Sequence, residues 1–292
     1  MHDSDQRVGS FQSTSRLAGM IPAVLFTFCF ANLSEAQSRA TSRVPAGAPA
    51  TTPSSIPGGG DVVDADSHPL IPALKIAGES REALDQVGDY TAVFLKRELI
   101  GKRYSSHTID MKVRQEPFSV YLRFQQPHEG REVIYVAGAN QGNLLVHEEG
   151  IKSLAGTLAL APTSEEAMRE NRYPITRIGL HNLLDTIVNQ WQQELKYGET
   201  DVRYFPNAKL GNVACRVIET SHPQPRRQFR FHMTRLYLSK ETNLPVRVEQ
   251  YGWPPSPGAQ APLHEMYTYT NLRTNVGLTD RDFDPHNPAY RF

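Results

Sequence analysis

The ten histidines of this 292-residue chain are the first residues to test for chemistry, because imidazole is the commonest side-chain metal ligand. The sequence His147-Glu148-Glu149 lacks the second histidine of an HExxH zinc motif. No two histidines stand three or four residues apart on a predicted helix, so the local spacing supports no zinc site. We therefore predict no metal and no other cofactor.

Motifs for covalent or nucleotide chemistry are absent from the sequence as well. The chain contains no G-x-S-x-G, no S-x-x-K, no G-x-G-x-x-G and no phosphate-binding loop that ends in Gly-Lys-Ser/Thr. We interpret paired carboxylates such as Glu148-Glu149 and Glu165-Glu166 as residues of solvated turns. Glycosidase chemistry would require a defined distance between two carboxylates in space, which the sequence does not supply. The motif search predicts a non-enzymatic protein without catalytic residues.

Charge and cysteine content exclude further classes. The 31 basic residues Lys and Arg equal the 31 acidic residues in number, so no basic excess favours nucleic acid, and we predict no nucleic-acid partner. Of the two cysteines, Cys29 lies in the segment that we expect to be removed, and Cys215 lies in an apolar run. Cys215 is therefore expected to be a buried small hydrophobe without a disulfide partner.

The N-terminus has the pattern of a secretory signal peptide, predicted over residues 1–36. Arg7 and Arg16 supply positive charge, residues 17–30 form an apolar run, and Ser34-Glu35-Ala36 offers small residues for cleavage after Ala36. The run is shorter than the roughly 20 residues of a membrane-spanning helix. We expect an exported protein, periplasmic or extracellular, which could associate with a membrane only through an uncleaved signal segment.

Two further regions follow the predicted signal peptide. Residues 37–67 are rich in Ala, Ser, Thr, Pro and Gly and have few large apolar residues, which predicts a disordered linker. Residues 68–292 carry the regular apolar patterns and are predicted to form a single β domain.

Three helices are predicted to position any site in this domain. A helix over 69–89 contains Gly78 as a point where it could break, and a short helix covers 164–170. The most periodic segment is 178–197, which ends at Gly198. Its apolar side chains form one stripe that must lie against a sheet: Leu180, Leu183, Leu184, Ile187, Val188, Trp191 and Leu195.

Ten strands are predicted, in two runs on either side of the long helix. The first run covers 90–98, 105–114, 118–124, 132–137 and 143–147, and the second covers 202–210, 212–220, 228–238, 244–251 and 263–273. Short links favour an antiparallel meander, so the fold class is α+β and mostly antiparallel β. Alternation in 118–124 predicts one buried and one solvated face, and a break in phase at Thr234-Arg235 predicts a bulge.

Two stretches carry a family resemblance that covers about residues 84–292. Residues 117–124 (PFSVYLRF), with 130–136 (GREVIYV) behind them, resemble a family of exported proteins of unknown function best represented in planctomycetes. Residues 236–249 (LYLSKETNLPVRVE) are similar to the C-terminal strands of periplasmic lipoprotein carriers of the LolA, LolB and RseB type. The chain differs from these carriers in its linker, in the additional region 161–173 and in the loop 251–255.

The resemblance implies that residues 68–292 form a single LolA-like β domain. Its curved open sheet, a half-barrel, would wrap around a few helices and have an apolar concave surface, which accepts acyl chains in the carriers. The leading hypothesis is a carrier or sensor of a lipid, acyl chain or other apolar ligand in the cell envelope. Its partner would be a lipid, a lipoprotein or another envelope component. The candidate ligand-binding residues lie on the strands and on the long helix: Phe94, Val120, Leu122, Phe124, Leu184, Ile187 and Trp191. A cavity of at least roughly 300 Å³ is the expected size of such a site.

Two alternatives belong to other functional classes. An envelope scaffold or sensor would bind protein or polysaccharide through an exposed sheet face that includes Tyr121 and Trp253. A hydrolase with dispersed polar residues would need groups such as Glu148, His222 or Asp282 to converge in a cleft.

Overall fold

The computed structural model describes residues 68–292. The predicted signal peptide and linker lie outside these residues. Within them, no helix combines the length and apolar character needed to cross a membrane.

Three helices and eleven strands make up the described chain. The helices are α1 (Leu70–Leu84), α2 (Glu165–Met168) and α3 (Leu180–Glu194). The strands of the first run are β1 (Asp89–Ile100), β2 (Arg103–Arg114), β3 (Ser119–Gln126), β4 (Glu132–Val136), β5 (Leu144–His147) and β6 (Thr157–Leu160). Those of the second run are β7 (Asp201–Leu210), β8 (Val213–Ser221), β9 (Met233–Ser239), β10 (Pro245–Tyr251) and β11 (Leu263–Thr274).

All eleven strands belong to one open antiparallel sheet. Its order is β6-β5-β4-β3-β2-β1-β11-β10-β9-β8-β7, so each run is a meander and the pairing of β1 with β11 joins the two. The chain crosses from one edge of the sheet to the other between β6 and β7, and α2 and α3 lie in this crossing. The predicted fold class, mostly antiparallel with a few helices, is confirmed.

One face of the sheet, the inner face, packs against α1 and α3. Along β1 the side chains alternate, and Tyr90, Phe94, Lys96 and Glu98 are all buried on this face, as two-residue periodicity requires. The apolar members belong to a single core that also contains Leu84 of α1 and residues of α3.

The helix α3 covers the inner face with the stripe that the sequence predicts. Leu180, Leu184, Ile187 and Trp191 are buried, and at 1.5 to 3 kcal/mol each they contribute about 6 to 12 kcal/mol before the ordering entropy is subtracted. The Trp191 Nε1 donates to Thr220 Oγ1 at 3.2 Å, so the indole also satisfies its polar group in β8. Gly78 does not break α1, which continues through it.

The other face, the outer face, is covered in part by the C-terminal segment, so the prediction of a solvated face for β3 is wrong there. Tyr121 is 5% exposed and packs with Ile134 and Phe283, and Tyr290 stacks on it with ring centroids 4.1 Å apart. Lys112 Nζ donates to Asp282 Oδ1 at 2.7 Å and holds the segment in place. The alternation of 118–124 described the strand correctly, but the covering residues stand more than 150 positions later in sequence.

The second run of strands also requires corrections. The predicted bulge at Thr234-Arg235 is wrong, because β9 begins at Met233 and pairs with β8 without interruption from Met233 to Ser239. Phe229 and Phe231 are buried before the strand starts, which explains the apparent change of phase. The edge strand β6 was not predicted, since its four residues are mostly exposed and show no alternation.

Gly179 is the N-cap of α3, and its backbone angles, φ 106° and ψ 164°, form a conformation that essentially only glycine adopts. A Cβ there would lie 3.0 Å from the Tyr90 hydroxyl, which accepts the Leu180 N–H at 3.0 Å. Gly179→Ala is expected to lower the free energy of unfolding by about 1 to 3 kcal/mol. Gly78→Ala, in an open helical position, should raise it by about 0.5 to 1 kcal/mol. Urea unfolding measures both, and equal effects of the two substitutions would contradict this account.

Candidate functional site

A cavity of about 250 Å³ lies on the inner face, lined by residues of β1 to β6, β10, β11, the helix α3 and the segment 161–179 that precedes it. This volume is slightly below the roughly 300 to 1,000 Å³ typical of small-molecule sites. The space between sheet and helix is therefore not completely filled by side chains, but it is smaller than the expected size.

The floor of the cavity is apolar because neighbouring strands place large side chains opposite one another. Ile109 of β2 lies opposite Phe94 of β1 and also opposite Phe124 of β3, and Leu122 lies opposite Val133 of β4. All five of these side chains line the cavity.

The structure separates the predicted ligand-binding residues into two groups. Phe94, Leu122, Phe124 and Ile187 line the cavity. Val120, Leu184 and Trp191 are fully buried in the core and do not line it. Leu183, which the sequence did not distinguish from its neighbours on the stripe, lines the cavity as well.

One end of the cavity contains charged side chains that are almost completely buried. The side chain of Lys96 is 7% exposed, and its Nζ lies 3.4 Å from Glu98 Oε2 and donates to the backbone oxygen of Glu170 at 3.0 Å. It also donates to the Asn171 side chain. Burial lowers the pKa of Lys96, and the adjacent carboxylate of Glu98 opposes that change. The lysine thus fastens the segment after α2 to the sheet.

A second buried carboxylate lies beside this group. Glu265 of β11 stands directly opposite Glu98 of β1, and its side chain is 3% exposed. Arg172 Nε lies 2.8 Å from Glu265 Oε2 without hydrogen-bond geometry, and the Tyr173 hydroxyl donates to the same carboxylate at 3.1 Å. Burial raises the pKa of Glu265, while the charge of Arg172 lowers it, and the net shift is upward.

Two histidines meet the side chain of Glu170 at this end of the cavity. His107 Nε2 lies 3.6 Å from Glu170 Oε2, and His128 Nε2 lies 3.2 Å from the same oxygen. Burial and the charge of Lys96 lower the pKa of His107 to about 4, against the opposing charge of Glu170. Arg131 Nη1 lies 3.4 Å from Glu170 Oε2, and its Nε lies 3.0 Å from Glu148 Oε2.

Sequence spacing could not reveal this cluster, because its members come from three separate elements. His107 is in β2, His128 in the turn between β3 and β4, and Glu170 in the segment after α2. A weaker signal was present in β1. Lys96 and Glu98 continue the alternation of Tyr90 and Phe94, which places two charges on a buried face.

The sequence of the domain matches the model of a family described as Protein of unknown function (DUF1571), over residues 87–292. The chain belongs to this family. The predicted membership in a family of unknown function is therefore confirmed. The search of curated proteins found no match for this DUF1571 protein.

Several solved structures are similar to the DUF1571 chain. The lipoprotein LppX of Mycobacterium tuberculosis is 13% identical over 73% of this chain and 100% of its own, with a TM-score of 0.41. A DUF1329 family protein from Desulfovibrio piger is 14% identical, covering 77% and 100%, with a TM-score of 0.37. A LolA superfamily protein from Nitrosomonas europaea is 11% identical, covering 73% and 97%, with a TM-score of 0.30. Because these TM-scores lie below 0.5, the likeness carries no inference about function.

The residues of the alternative hypotheses lie apart from one another in the DUF1571 domain. Glu148 lines the cavity, but His222 is buried against Glu194 with a distance of 3.3 Å from Nε2 to Oε1. Asp282 pairs with Lys112 on the outer face. These three groups do not converge in a cleft. Tyr121 is covered by Tyr290, so it does not belong to an exposed aromatic surface.

The Arg172 to Glu265 ion pair predicts a pH-dependent stability. Arg172→Met would leave a buried carboxylate without its cation and should cost about 3 to 5 kcal/mol at pH 7. The charge of Arg172 lowers the pKa of Glu265, so in the variant this pKa should rise further above its ordinary value, and the buried carboxyl should take up a proton more readily than in the wild-type protein. The loss should therefore become smaller as the pH falls from 7 through the raised pKa of the variant.

Urea unfolding at several pH values between 7 and 5 measures this loss. The double variant Arg172→Met with Glu265→Gln should recover most of the stability at pH 7. Arg169→Met serves as the control, because Arg169 is exposed and pairs with Glu166 at the surface, where an ion pair is worth about 0 to 1 kcal/mol. A loss of equal size at every pH would show that Glu265 is not responsible.

Proposed function

We propose that this protein is a non-enzymatic binding protein that holds the apolar part of a small amphipathic molecule between the sheet and α3. The cavity of about 250 Å³ is the observation that carries this proposal. Its floor is formed by Phe94, Leu122 and Phe124, and its wall by Leu183 and Ile187 of α3. An apolar pocket with a few polar groups at one end is the usual form of a small-molecule site.

The polar end favours a ligand with a head group. His128 and Arg131 offer donors there, and Glu148 and Glu170 offer acceptors. Such groups cost free energy to bury, and they orient a polar head while the apolar floor receives the tail. A purely hydrocarbon ligand would leave these groups without a new partner.

The size of the cavity favours a ligand with a short alkyl chain, or one end of a longer alkyl chain. At about 0.8 kcal/mol per buried methylene, each two-carbon extension should strengthen binding by roughly tenfold until the cavity is filled. The exposed side chains of Glu166, Arg169 and Arg177 are among those that line the cavity, so it opens to solvent beside α2. A longer chain would leave through this opening.

The envelope is the compartment in which we place this activity. The predicted signal peptide over 1–36 supports export, and a lipid or lipoprotein of the envelope would supply an amphipathic molecule of this kind. The role of the protein is then that of a carrier or sensor. The ligand is distinguished from other amphipathic molecules by its head group.

Calorimetric titration with straight-chain carboxylates of six to fourteen carbons tests the proposal. Affinity should rise with chain length and then level off. Leu183→Phe should reduce the length at which it levels off and weaken binding of the best ligand by about tenfold, because the ring occupies the cavity. Val188→Phe is the matched control, since Val188 is on the same helix and half-buried but does not line the cavity.

Native mass spectrometry of the protein purified from its own envelope gives an independent measurement. A stoichiometric ligand released by organic extraction would support the proposal. No carboxylate binding together with a clean apo mass, repeated after incubation with envelope lipids, would contradict it.

A further inference from the structure

Three potential metal ligands converge at the polar end of the cavity. The nearest ligand atoms of His107, His128 and Glu170 all lie within 4.8 Å of one another. Among residues 68–292, this is the one group of three or more His, Cys, Asp or Glu side chains in such an arrangement. Two imidazoles and one carboxylate form a donor set that zinc and other divalent transition metals accept.

The distances from Glu170 to the two histidines fit a common central ion. Ligands that lie about 2.0 to 2.1 Å from a tetrahedral metal are separated from one another by about 3.3 to 3.4 Å. Glu170 Oε2 lies 3.6 Å from His107 Nε2 and 3.2 Å from His128 Nε2. Both distances depart from the tetrahedral value by only a few tenths of an ångström.

The second nitrogen of each imidazole has a partner that orients the first toward Glu170. His128 Nδ1 lies 3.4 Å from Glu149 Oε1. His107 Nδ1 lies 3.4 Å from Ser105 Oγ, and that hydroxyl donates to the backbone oxygen of Glu170 at 3.1 Å. A carboxylate or hydroxyl on Nδ1 is the outer-shell arrangement that places the Nε2 lone pair on a metal.

The contact of His107 with Glu170 is unfavourable without a cation. Ser105 Oγ donates to the backbone oxygen of Glu170, so it accepts from the Nδ1–H of His107, and the His107 Nε2 lone pair then faces the Glu170 carboxylate at 3.6 Å. His128 Nε2 lies within hydrogen-bond distance of Glu170 Oε1, at 3.2 Å. A divalent ion between the three side chains would relieve the contact of His107 and take the place of the hydrogen bond between His128 and Glu170.

The surrounding charges also favour a divalent cation. Lys96 pairs with Glu98 at 3.4 Å, and Arg131 pairs with Glu148 at 3.0 Å. The carboxylates of Glu149 and Glu170 are then left without a cation of their own. Glu149 contacts His128, and Glu170 contacts both histidines. Arg131 Nη1 also lies 3.4 Å from Glu170. The immediate surroundings thus carry two more carboxylates than permanent cations.

We propose that His107, His128 and Glu170 form a binding site for a divalent transition metal of the zinc type, whose open coordination position faces the cavity. His128 and Glu170 both line the cavity, so a ligand there would have access to the ion. The site does not depend on the proposed binding of an amphipathic molecule, because its geometry is set by β2, the turn after β3 and the segment after α2.

Titration of the metal-stripped full-length protein with Zn²⁺ and Co²⁺ tests the site. One ion should bind per chain, and Co²⁺ should show the absorption of a tetrahedral complex, which simple surface binding does not produce. Glu170→Gln and His128→Asn should each weaken Zn²⁺ binding by about 100-fold or more. Asparagine suits position 128, where φ is 68°, so the backbone of this turn is preserved.

Outer-shell and control variants complete the experiment. Glu149→Gln should weaken Zn²⁺ binding by about 10- to 100-fold. His147→Asn removes a half-buried histidine of β5 outside the cluster and should leave the affinity unchanged. Circular dichroism and urea unfolding without metal confirm that each variant folds.

Two results would overturn the proposal. One is the absence of stoichiometric Zn²⁺ or Co²⁺ binding to the wild-type protein. The other is an unchanged Zn²⁺ affinity in folded Glu170→Gln and His128→Asn. Because the readout is metal binding alone, failure of this site leaves the carboxylate titration of the cavity unaffected, and failure of that titration leaves the metal measurement valid.

Discussion

The buried amine of Lys96 is the constraint on which the arrangement of the inner face depends. The alternation of β1 directs this side chain toward the helices, where an ammonium group needs acceptors. Glu98, the backbone oxygen of Glu170 and the side chain of Asn171 provide them. Because two of these acceptors belong to the segment after α2, satisfying the lysine also fixes that segment over the sheet.

A fixed segment explains why the space between the sheet and α3 is not filled. The helix packs closely where its partners are apolar, as at Leu184 and Trp191, which are fully buried. The segment after α2 is held by polar contacts as well as by the packing of Ile175 and Ile178 against the core. Arg172 N, for example, donates to Glu98 Oε2 at 3.0 Å. Hydrogen bonds require particular distances and directions, so these contacts set the position of the segment, and a cavity remains beside it.

The sequence predicted the fold well because its elements are specified locally. The stripe of α3 and the alternation of β1 to β3 need no information from distant residues, and short links make the antiparallel pairing almost unavoidable. The closure of the outer face was missed since Tyr290 and Phe283 reach Tyr121 from the opposite end of the chain. The cluster around Glu170 was missed for the same reason, as its ligands are 21 and 42 residues apart in sequence.

The candidate lining residues show a similar limit. An apolar stripe identifies the face of α3 that is buried, but it does not separate Ile187 at the cavity from Trp191 in the solid core. That distinction depends on the position of the polar segment after α2, and the apolar periodicity of the helix does not predict this position. The region 161–173 supplies much of this segment.

Glu170 connects the sheet with the candidate site, because its backbone is bound by residues of the sheet and its side chain lines the cavity. Lys96 and Ser105 hold its carbonyl oxygen, so the position of its main chain follows from the sheet. Its carboxylate lines the cavity and meets His107 and His128, where it is half-buried. A substitution of the side chain can therefore change the site while the backbone contacts that hold the segment remain.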